Sequence, residues 1–176
     1  MDLSAIIISL ALQHGHTDEP RLRAVAEDIT DVASESTLFC GPAANDATAL
    51  ALTAVAEHES GFWGRVQDCS ACLPGSRWCD RGRSISLWQL HVGSGAWIGH
   101  DRQTVCSNND IAARLALRIL ERNRKASSVA TVFSGYARGG RHGAGAEMLG
   151  IFETLARKAS ISVVYRDGCL TASRAQ

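Results

Sequence analysis

One acidic residue near the middle of the chain has the position that general acid catalysis requires. Leu52, Val55, Ala56 and Glu59 follow one another at spacings of i, i+3, i+4 and i+7. A helix over about residues 46–59 therefore places Glu59 on the same face as the apolar residues. Burial removes water from a carboxyl group and raises its pKa. A carboxyl group that keeps its proton near neutral pH can protonate the oxygen of a glycosidic bond.

The same helix is also compatible with a structural role for Glu59, as a buried carboxylate bound by a helix end or by an arginine. Glu57 lies two positions earlier and projects to the other side of the helix. Gly61 is expected to end the helix, so that the Glu59 carboxyl group reaches the edge of a cleft.

Two later segments carry further polar and aromatic groups that could meet a substrate. The first is the turn 84–89, with the sequence Ser-Ile-Ser-Leu-Trp-Gln, and the second is the segment 133–140, with the sequence Phe-Ser-Gly-Tyr-Ala-Arg-Gly-Gly. All four tryptophans lie between residues 61 and 109, and indole faces stack well on sugar rings. One or two of them could line sugar subsites, whereas core packing is the favoured role of Trp63 and Trp97.

In this order, the three segments resemble the active site of the lytic transglycosylase and goose-type lysozyme superfamily. The pair Glu59–Ser60 is similar to its Glu-Ser pair, and the turn 84–89 to its Ser/Gly-x-Gly-Leu-Met-Gln turn. The segment 134–140 is similar to its Ala-Tyr-Asn-Ala-Gly motif. The resemblance covers about residues 45–156. It implies a mainly α, lysozyme-like helical domain with a loop-rich or short β-hairpin segment around residues 61–109.

The resemblance also implies roles for individual residues. Glu59 matches the family's sole catalytic acid/base, Tyr136 matches the tyrosine that borders it, and Gly139 matches the closing glycine of the motif. Trp88 and Ala137 replace the usual Met and Asn, and Arg138 stands where Ala is usual. Ser86 stands where the family usually has Gly, so the turn is not expected to use a positive φ freely. The implied substrate-binding residues are Ser60, Ser84, Ser86, Leu87, Trp88, Gln89 and Tyr136.

The reaction that the resemblance implies is cleavage of the bond between N-acetylmuramic acid and N-acetylglucosamine in peptidoglycan. Glu59 alone would serve as acid and then base, giving a 1,6-anhydro-muramic acid product without a cofactor or a metal. An inverting muramidase would instead need a second carboxylate about 6.5–9.5 Å away, and Asp68 and Asp80 are the candidates. A non-catalytic glycan-binding module with the same fold is the other alternative.

Composition limits the range of partners and the number of domains. The chain has 176 residues, of which 45% are hydrophobic, and equal numbers of basic and acidic residues give a net charge of zero. This length fits one domain over residues 1–176, with N-terminal helices at 1–40 and a catalytic core at about 45–158. The charge balance argues against nucleic acid as a partner. No run is long enough to span a bilayer, and a monomer is expected.

Location is expected to follow from function, because peptidoglycan lies outside the cytoplasmic membrane. Residues 3–12 are predicted to form a core helix and not a signal peptide, since no basic segment precedes them. A phage endolysin, a virion-associated cell-wall enzyme or an otherwise exported protein would fit this pattern.

The six cysteines leave three possibilities open: disulfides, free thiols or a metal site. An even number suits disulfides in an oxidising compartment, but six cysteines allow fifteen pairings. Cys69, Cys72 and Cys79 could also form most of a zinc site, with Cys106 or His91 as the fourth ligand. The third functional hypothesis is therefore a small zinc-stabilised interaction domain.

Apolar periodicity predicts helices over most of the chain. A second helix carries the stripe that begins at Leu22, and the helix with Glu59 is expected to be capped by Asn45 or Asp46. Further helices are predicted from residue 109, over 127–136 with the pair Gly139–Gly140 at its end, and over 144–158. A short hairpin is expected around residues 83–92. The tail after Arg166 is predicted to be loose unless Cys169 is tethered.

Overall fold

The computed structural model describes residues 2–91, 99–122, 125, 127–137 and 143–174, and this part of the chain is mainly helical. Its helices are α1 (Leu3–Gln13), α2 (Glu19–Ser34), α3 (Ala44–Ser60), α4 (Gly64–Gln67), α5 (Cys79–Gly82), α6 (Arg102–Ser107), α7 (Asn109–Glu121), α8 (Val129–Tyr136) and α9 (Ala144–Lys158). Two antiparallel hairpins join β1 (Ser84–Ile85) to β2 (Leu90–His91), and β3 (Ile161–Arg166) to β4 (Cys169–Arg174). The prediction of a mainly α fold is confirmed.

Helix α3 is the central element of the described structure. Every residue from Ala47 to Ala56 is buried, and α2 and α9 pack against the helix. Five of these ten residues are alanine, and small side chains allow neighbouring helices to approach closely. The last turn, from Glu57 to Ser60, is only half-buried. The helix is therefore buried along its middle and reaches the surface at its polar C-terminal end.

Gly61 ends α3, as the sequence predicted. It adopts a left-handed conformation with φ of 54°, and its N–H donates to the Glu57 carbonyl. A Cβ at this position would also lie 3.1 Å from the ring of His14, at the end of α1. The predicted N-cap is wrong, because the helix begins at Ala44 without a side-chain cap. Asp46 instead pairs with Arg174, at 2.7 Å.

The predicted helices at the N-terminus and in the second half of the chain are confirmed. α1 covers the apolar segment that was predicted to be a core helix, and Leu22 and the rest of its stripe are fully buried in α2. α9 has the predicted bounds of 144–158. α8 ends at Tyr136, and the pair Gly139–Gly140, which was expected to end it, lies outside the described residues. The hairpin of β1 and β2 falls within the predicted 83–92.

The C-terminal tail is not loose, and the exception stated for a tethered Cys169 applies, because Cys169 is bonded to Cys40. β3 and β4 form an antiparallel pair in which Ile161 is opposite Arg174 and Arg166 is opposite Cys169. β4 also pairs with Cys40, whose carbonyl accepts a hydrogen bond from the Ala172 N–H at 2.7 Å. Leu170 and Ala172 are buried in the core. Polar composition alone suggested a loose tail, but alternate β4 residues face the core while the others carry the polar groups.

All six cysteines form disulfides, which pair Cys40 with Cys169, Cys69 with Cys106, and Cys72 with Cys79. A sulfur atom in a disulfide is not a thiolate ligand, so the proposed zinc site and the zinc-stabilised interaction domain are wrong. The described residues contain no group of three or more histidine, cysteine or acidic side chains suited to a metal ion.

No helix in the described part of the chain combines the length and the apolar character that a membrane span requires.

Candidate functional site

Glu59 lies in the last turn of α3, where the helix leaves the core. Burial raises the pKa of its carboxyl group to about 7, and no charged group contributes to this shift. Among the described residues, the carboxyl group has neither an ion pair nor a hydrogen bond. The arginine or helix-end partner that a structural role would require is thus not found in this part of the chain. Such a carboxyl group is half protonated near neutral pH and can donate a proton.

Ser60 has a local role at the end of α3. Its hydroxyl group donates to the Ala56 carbonyl at 2.8 Å and accepts from the Phe62 N–H at 3.3 Å. The Phe62 side chain is fully buried although its φ is 59°, so the chain turns sharply directly after the helix. Ser60 therefore helps to fix the turn that follows Glu59, and its predicted contact with substrate stays a prediction.

The turn between β1 and β2 has a left-handed backbone at two positions. Ser86 has φ of 64° and Gln89 has φ of 45°. The expectation that Ser86 would hinder a positive φ is wrong, since serine adopts the conformation for which glycine is usual. The Ser86 carbonyl accepts from the Gln89 backbone N–H and from its side-chain amide, both at 3.1 Å. These two hydrogen bonds hold the turn closed.

Most side chains of this turn face the core. Ser84, Ser86, Leu87 and Trp88 are at most 3% exposed, and the Trp88 indole N–H donates to the Leu52 carbonyl at 3.0 Å. Contacts between substrate and the side chains of Leu87 and Trp88 are therefore not available in this conformation. Both residues anchor the turn to α3. Gln89 is half-buried, and its amide group is already bonded within the turn.

Tyr136 joins the end of α8 to the same turn. Its hydroxyl group donates to the Trp88 carbonyl at 2.7 Å. Burial, and secondly the negative charge of Glu59, raise the pKa of Tyr136 well above its ordinary value. An effect of the Glu59 charge requires the two side chains to be close together. The three segments that the sequence singled out therefore meet at one place, at the end of α3.

Replacing Tyr136 with phenylalanine is expected to lower the free energy of unfolding by about 1–3 kcal/mol, because the buried Trp88 carbonyl loses its donor. Urea denaturation measures this change. Tyr165→Phe is the matched control, since Tyr165 is the other tyrosine and is 49% exposed. Equal stability of the two variants would show that the hydrogen bond does not hold the turn.

The two candidate second carboxylates have local partners. Asp68 accepts a hydrogen bond from the Ser70 N–H at 2.8 Å. Asp80 pairs with Arg83 at 2.9 Å and lies 3.8 Å from His91. Neither aspartate contributes to the pKa of Glu59, as a nearby negative charge would.

Two histidine–glutamate contacts near the end of α3 were missed in the sequence. His58 lies 3.3 Å from Glu147 of α9, and Glu57 lies 2.8 Å from His14. One Glu57 oxygen is buried and has no hydrogen-bond partner among the described residues. Partners so far apart in sequence leave no periodic signal.

Trp97, Arg138 and Gly139 lie outside the described residues.

No protein-family model, no curated protein and no solved structure matches this chain.

Proposed function

We propose that the protein is a peptidoglycan-degrading enzyme with a lysozyme-like helical domain, and that it cleaves between N-acetylmuramic acid and N-acetylglucosamine. The observation that carries the proposal is the Glu59 carboxyl group, which burial holds at a pKa of about 7 beside Tyr136 and the 84–89 turn. A general acid is most effective when its pKa lies near the working pH. The order of the three segments along the chain supports the same activity.

In the proposed mechanism, protonated Glu59 donates its proton to the oxygen that links the two sugars. Positive charge develops on the muramic acid C1 as this bond breaks. The Glu59 carboxylate then takes the proton of the 6-hydroxyl group, and the 6-oxygen closes on C1 to give a 1,6-anhydro sugar. The carboxyl group returns to its protonated state, so one acidic residue completes the cycle. No cofactor, metal or second carboxylate takes part.

The two alternatives have less support. Hydrolysis with inversion needs a carboxylate that is free to activate water, whereas both candidates, Asp68 and Asp80, are held by local partners. The departures from the family pattern at Ser86 and Ala137 favour a binding module without turnover. The positive φ of Ser86 removes the first of these, because the turn keeps the backbone conformation that glycine would give it.

The proposed location is the cell wall, outside the cytoplasmic membrane. Three disulfides support a destination that is more oxidising than the cytoplasm. Release by a phage, carriage on a virion or export by a dedicated system would each bring the enzyme there.

Mass spectrometry of the soluble products from purified peptidoglycan tests the reaction. We expect products that end in 1,6-anhydro-muramic acid. Products with reducing ends, heavier by one water, would replace transglycosylation by hydrolysis and direct attention to Asp68 and Asp80. Absence of products from several wall types, with folded protein, would contradict the enzymatic proposal and favour the binding module.

A further inference from the structure

A cavity of about 440 Å³ lies between the α1–α2 loop, the first turn of α2 and α4. It is distinct from the surroundings of Glu59. Glu57 lies two positions before Glu59, which places the two side chains about 200° apart around the helix. Glu57 contacts His14, and His14 directly precedes the loop residues of the cavity wall. The cavity therefore lies on the α1 side of α3, whereas Glu59 faces Tyr136 and the 84–89 turn.

Most charged groups in the cavity wall are already bound within the protein. Asp18 accepts from the Arg21 backbone N–H, and Asp68 from the Ser70 N–H. The Arg21 guanidinium group donates to Gln67 and to the Phe62 carbonyl. Burial, and secondly the charge of Arg21, lower the pKa of His16, so its ring is neutral near pH 7. Arg65 remains as the cation of this wall without a carboxylate partner in the described structure.

Trp63 extends the cavity into an aromatic surface. Its ring meets that of Trp78 edge to face, with 5.1 Å between the centroids, and Trp78 is 45% exposed. Arg65 lies over Trp63 at 5.7 Å, and Arg77 lies over Trp78 at 5.0 Å. Neither arginine has an ion pair within the described residues. We call Trp63, Arg65, Arg77 and Trp78 the Trp–Arg surface.

Such a surface combines two kinds of recognition. An exposed indole provides an apolar face for a sugar ring. A guanidinium group that stacks on an indole keeps its N–H edge free, and this edge matches the two oxygens of a carboxylate. Arg77 and Trp78 belong to the segment closed by the Cys72–Cys79 disulfide, so this half of the surface is constrained before any ligand arrives. Preorganisation of this kind reduces the entropy lost on binding.

We propose that the Trp–Arg surface and the adjoining cavity form a second, non-catalytic site for a carboxylate-bearing glycan, namely a peptidoglycan strand with its peptide stems. The choice of substrate rests on the proposed function. Trp63 lies four residues after Glu59, so their Cα atoms are at most about 15 Å apart. A polymer of several sugar units can therefore contact both sites, with Arg65 and Arg77 binding stem carboxylates while Glu59 faces the scissile bond.

Binding is tested in the full chain that carries Glu59→Gln, which prevents cleavage during the measurement. Sedimentation with insoluble peptidoglycan gives the Kd for native wall and for wall whose stem carboxylates have been amidated. Arg65→Gln with Arg77→Gln is expected to weaken binding to native wall by about tenfold or more, because charge-assisted hydrogen bonds are lost. Amidation of the wall is expected to have the same effect without any substitution. Trp78→Ala is expected to weaken binding to both walls.

Arg118→Gln is the matched control, since Arg118 is an exposed arginine on α7. Circular dichroism verifies that each variant is folded. An unchanged Kd in the double arginine variant, equal binding to amidated wall, or preferential binding of nucleic acid would overturn the proposal.

The two proposals fail in different ways. If wild-type protein releases anhydro products but wall binding is independent of Arg65 and Arg77, only the second site is overturned. If binding depends on these arginines but no wall is cleaved, only the proposed reaction is overturned.

Discussion

Replacing Glu59 with glutamine is expected to abolish release of soluble products from peptidoglycan while leaving the fold intact. Glutamine has nearly the same shape but cannot donate a proton, and general acid catalysis contributes roughly 10²–10⁴-fold to a rate. Because Glu59 acts as both acid and base in the proposed mechanism, we expect a loss at the upper end of this range. Turbidity of a cell-wall suspension and mass spectrometry of the supernatant measure it.

The same substitution is expected to stabilise the protein at neutral and alkaline pH. The pKa of Glu59 is about 7 in the folded protein, against an ordinary value of 4.5. Above pH 4.5 the unfolded chain releases this proton while the folded chain keeps it, so the wild type loses stability as the pH rises towards 7. The loss amounts to at most about 3.5 kcal/mol, at about 1.4 kcal/mol per pH unit. Glutamine has no such loss, and urea denaturation at pH 4 and pH 8 shows the difference.

Glu27→Gln is the matched control, because Glu27 is an exposed glutamate on α2. It is expected to retain wild-type lysis and to change the free energy of unfolding by less than about 0.5 kcal/mol, as is usual for a surface substitution. Wild-type lysis by the Glu59→Gln variant would refute the proposed function. A Glu59→Gln variant that loses activity but gains no stability above pH 7 would show that the carboxyl group titrates at an ordinary pH.

Activity is expected to fall as the pH rises through about 7, since only the protonated Glu59 can donate. A pH profile of initial lysis rates measures this. A rate that stays constant from pH 6 to pH 9 would contradict the assignment of Glu59 as the acid.

The candidate site was predictable because its main features are periodic or local. The i, i+3, i+4, i+7 spacing that ends at Glu59 identified the face of α3, and Gly61 identified its end. Both follow from helix geometry and from the backbone freedom of glycine. The hairpin at 84–91 was predictable from the loss of the helical pattern in that segment.

Other features depend on contacts that no local pattern encodes. The Trp88 indole is buried and donates a hydrogen bond to the Leu52 carbonyl, 36 positions away. A tryptophan in this segment suggested a contact with sugar, but the burial of the side chain does not allow it. The positive φ of Ser86 is imposed by a closed turn and contradicts the preference of serine. The pairing of β4 with Cys40 joins distant parts of the chain, and a polar tail gave no sign of it.

The disulfide between Cys40 and Cys169 is expected to be the strongest of the three in its effect on stability. It joins residues 129 positions apart, whereas Cys72 and Cys79 are 7 apart. In the chain-entropy model the constraint on the unfolded chain grows with loop length, to about 5 kcal/mol for the first disulfide and about 2.5 kcal/mol for the second. The Cys40→Ser, Cys169→Ser variant is therefore expected to lose about 3–5 kcal/mol in urea denaturation.

The Cys72→Ala, Cys79→Ala variant is the matched control for loop length. Both of its cysteines are buried, so this variant also loses packing, which increases its loss of stability. If removal of the Cys40–Cys169 disulfide still lowers the free energy of unfolding more, lost packing cannot explain the difference. The effect is expected to be concentrated where Cys169 holds the β3–β4 hairpin against Cys40, and amide hydrogen exchange of Ala172, whose N–H donates to the carbonyl of residue 40, reports on it. Unchanged protection of this amide would show that the buried side chains of β4 hold the hairpin without the covalent bond.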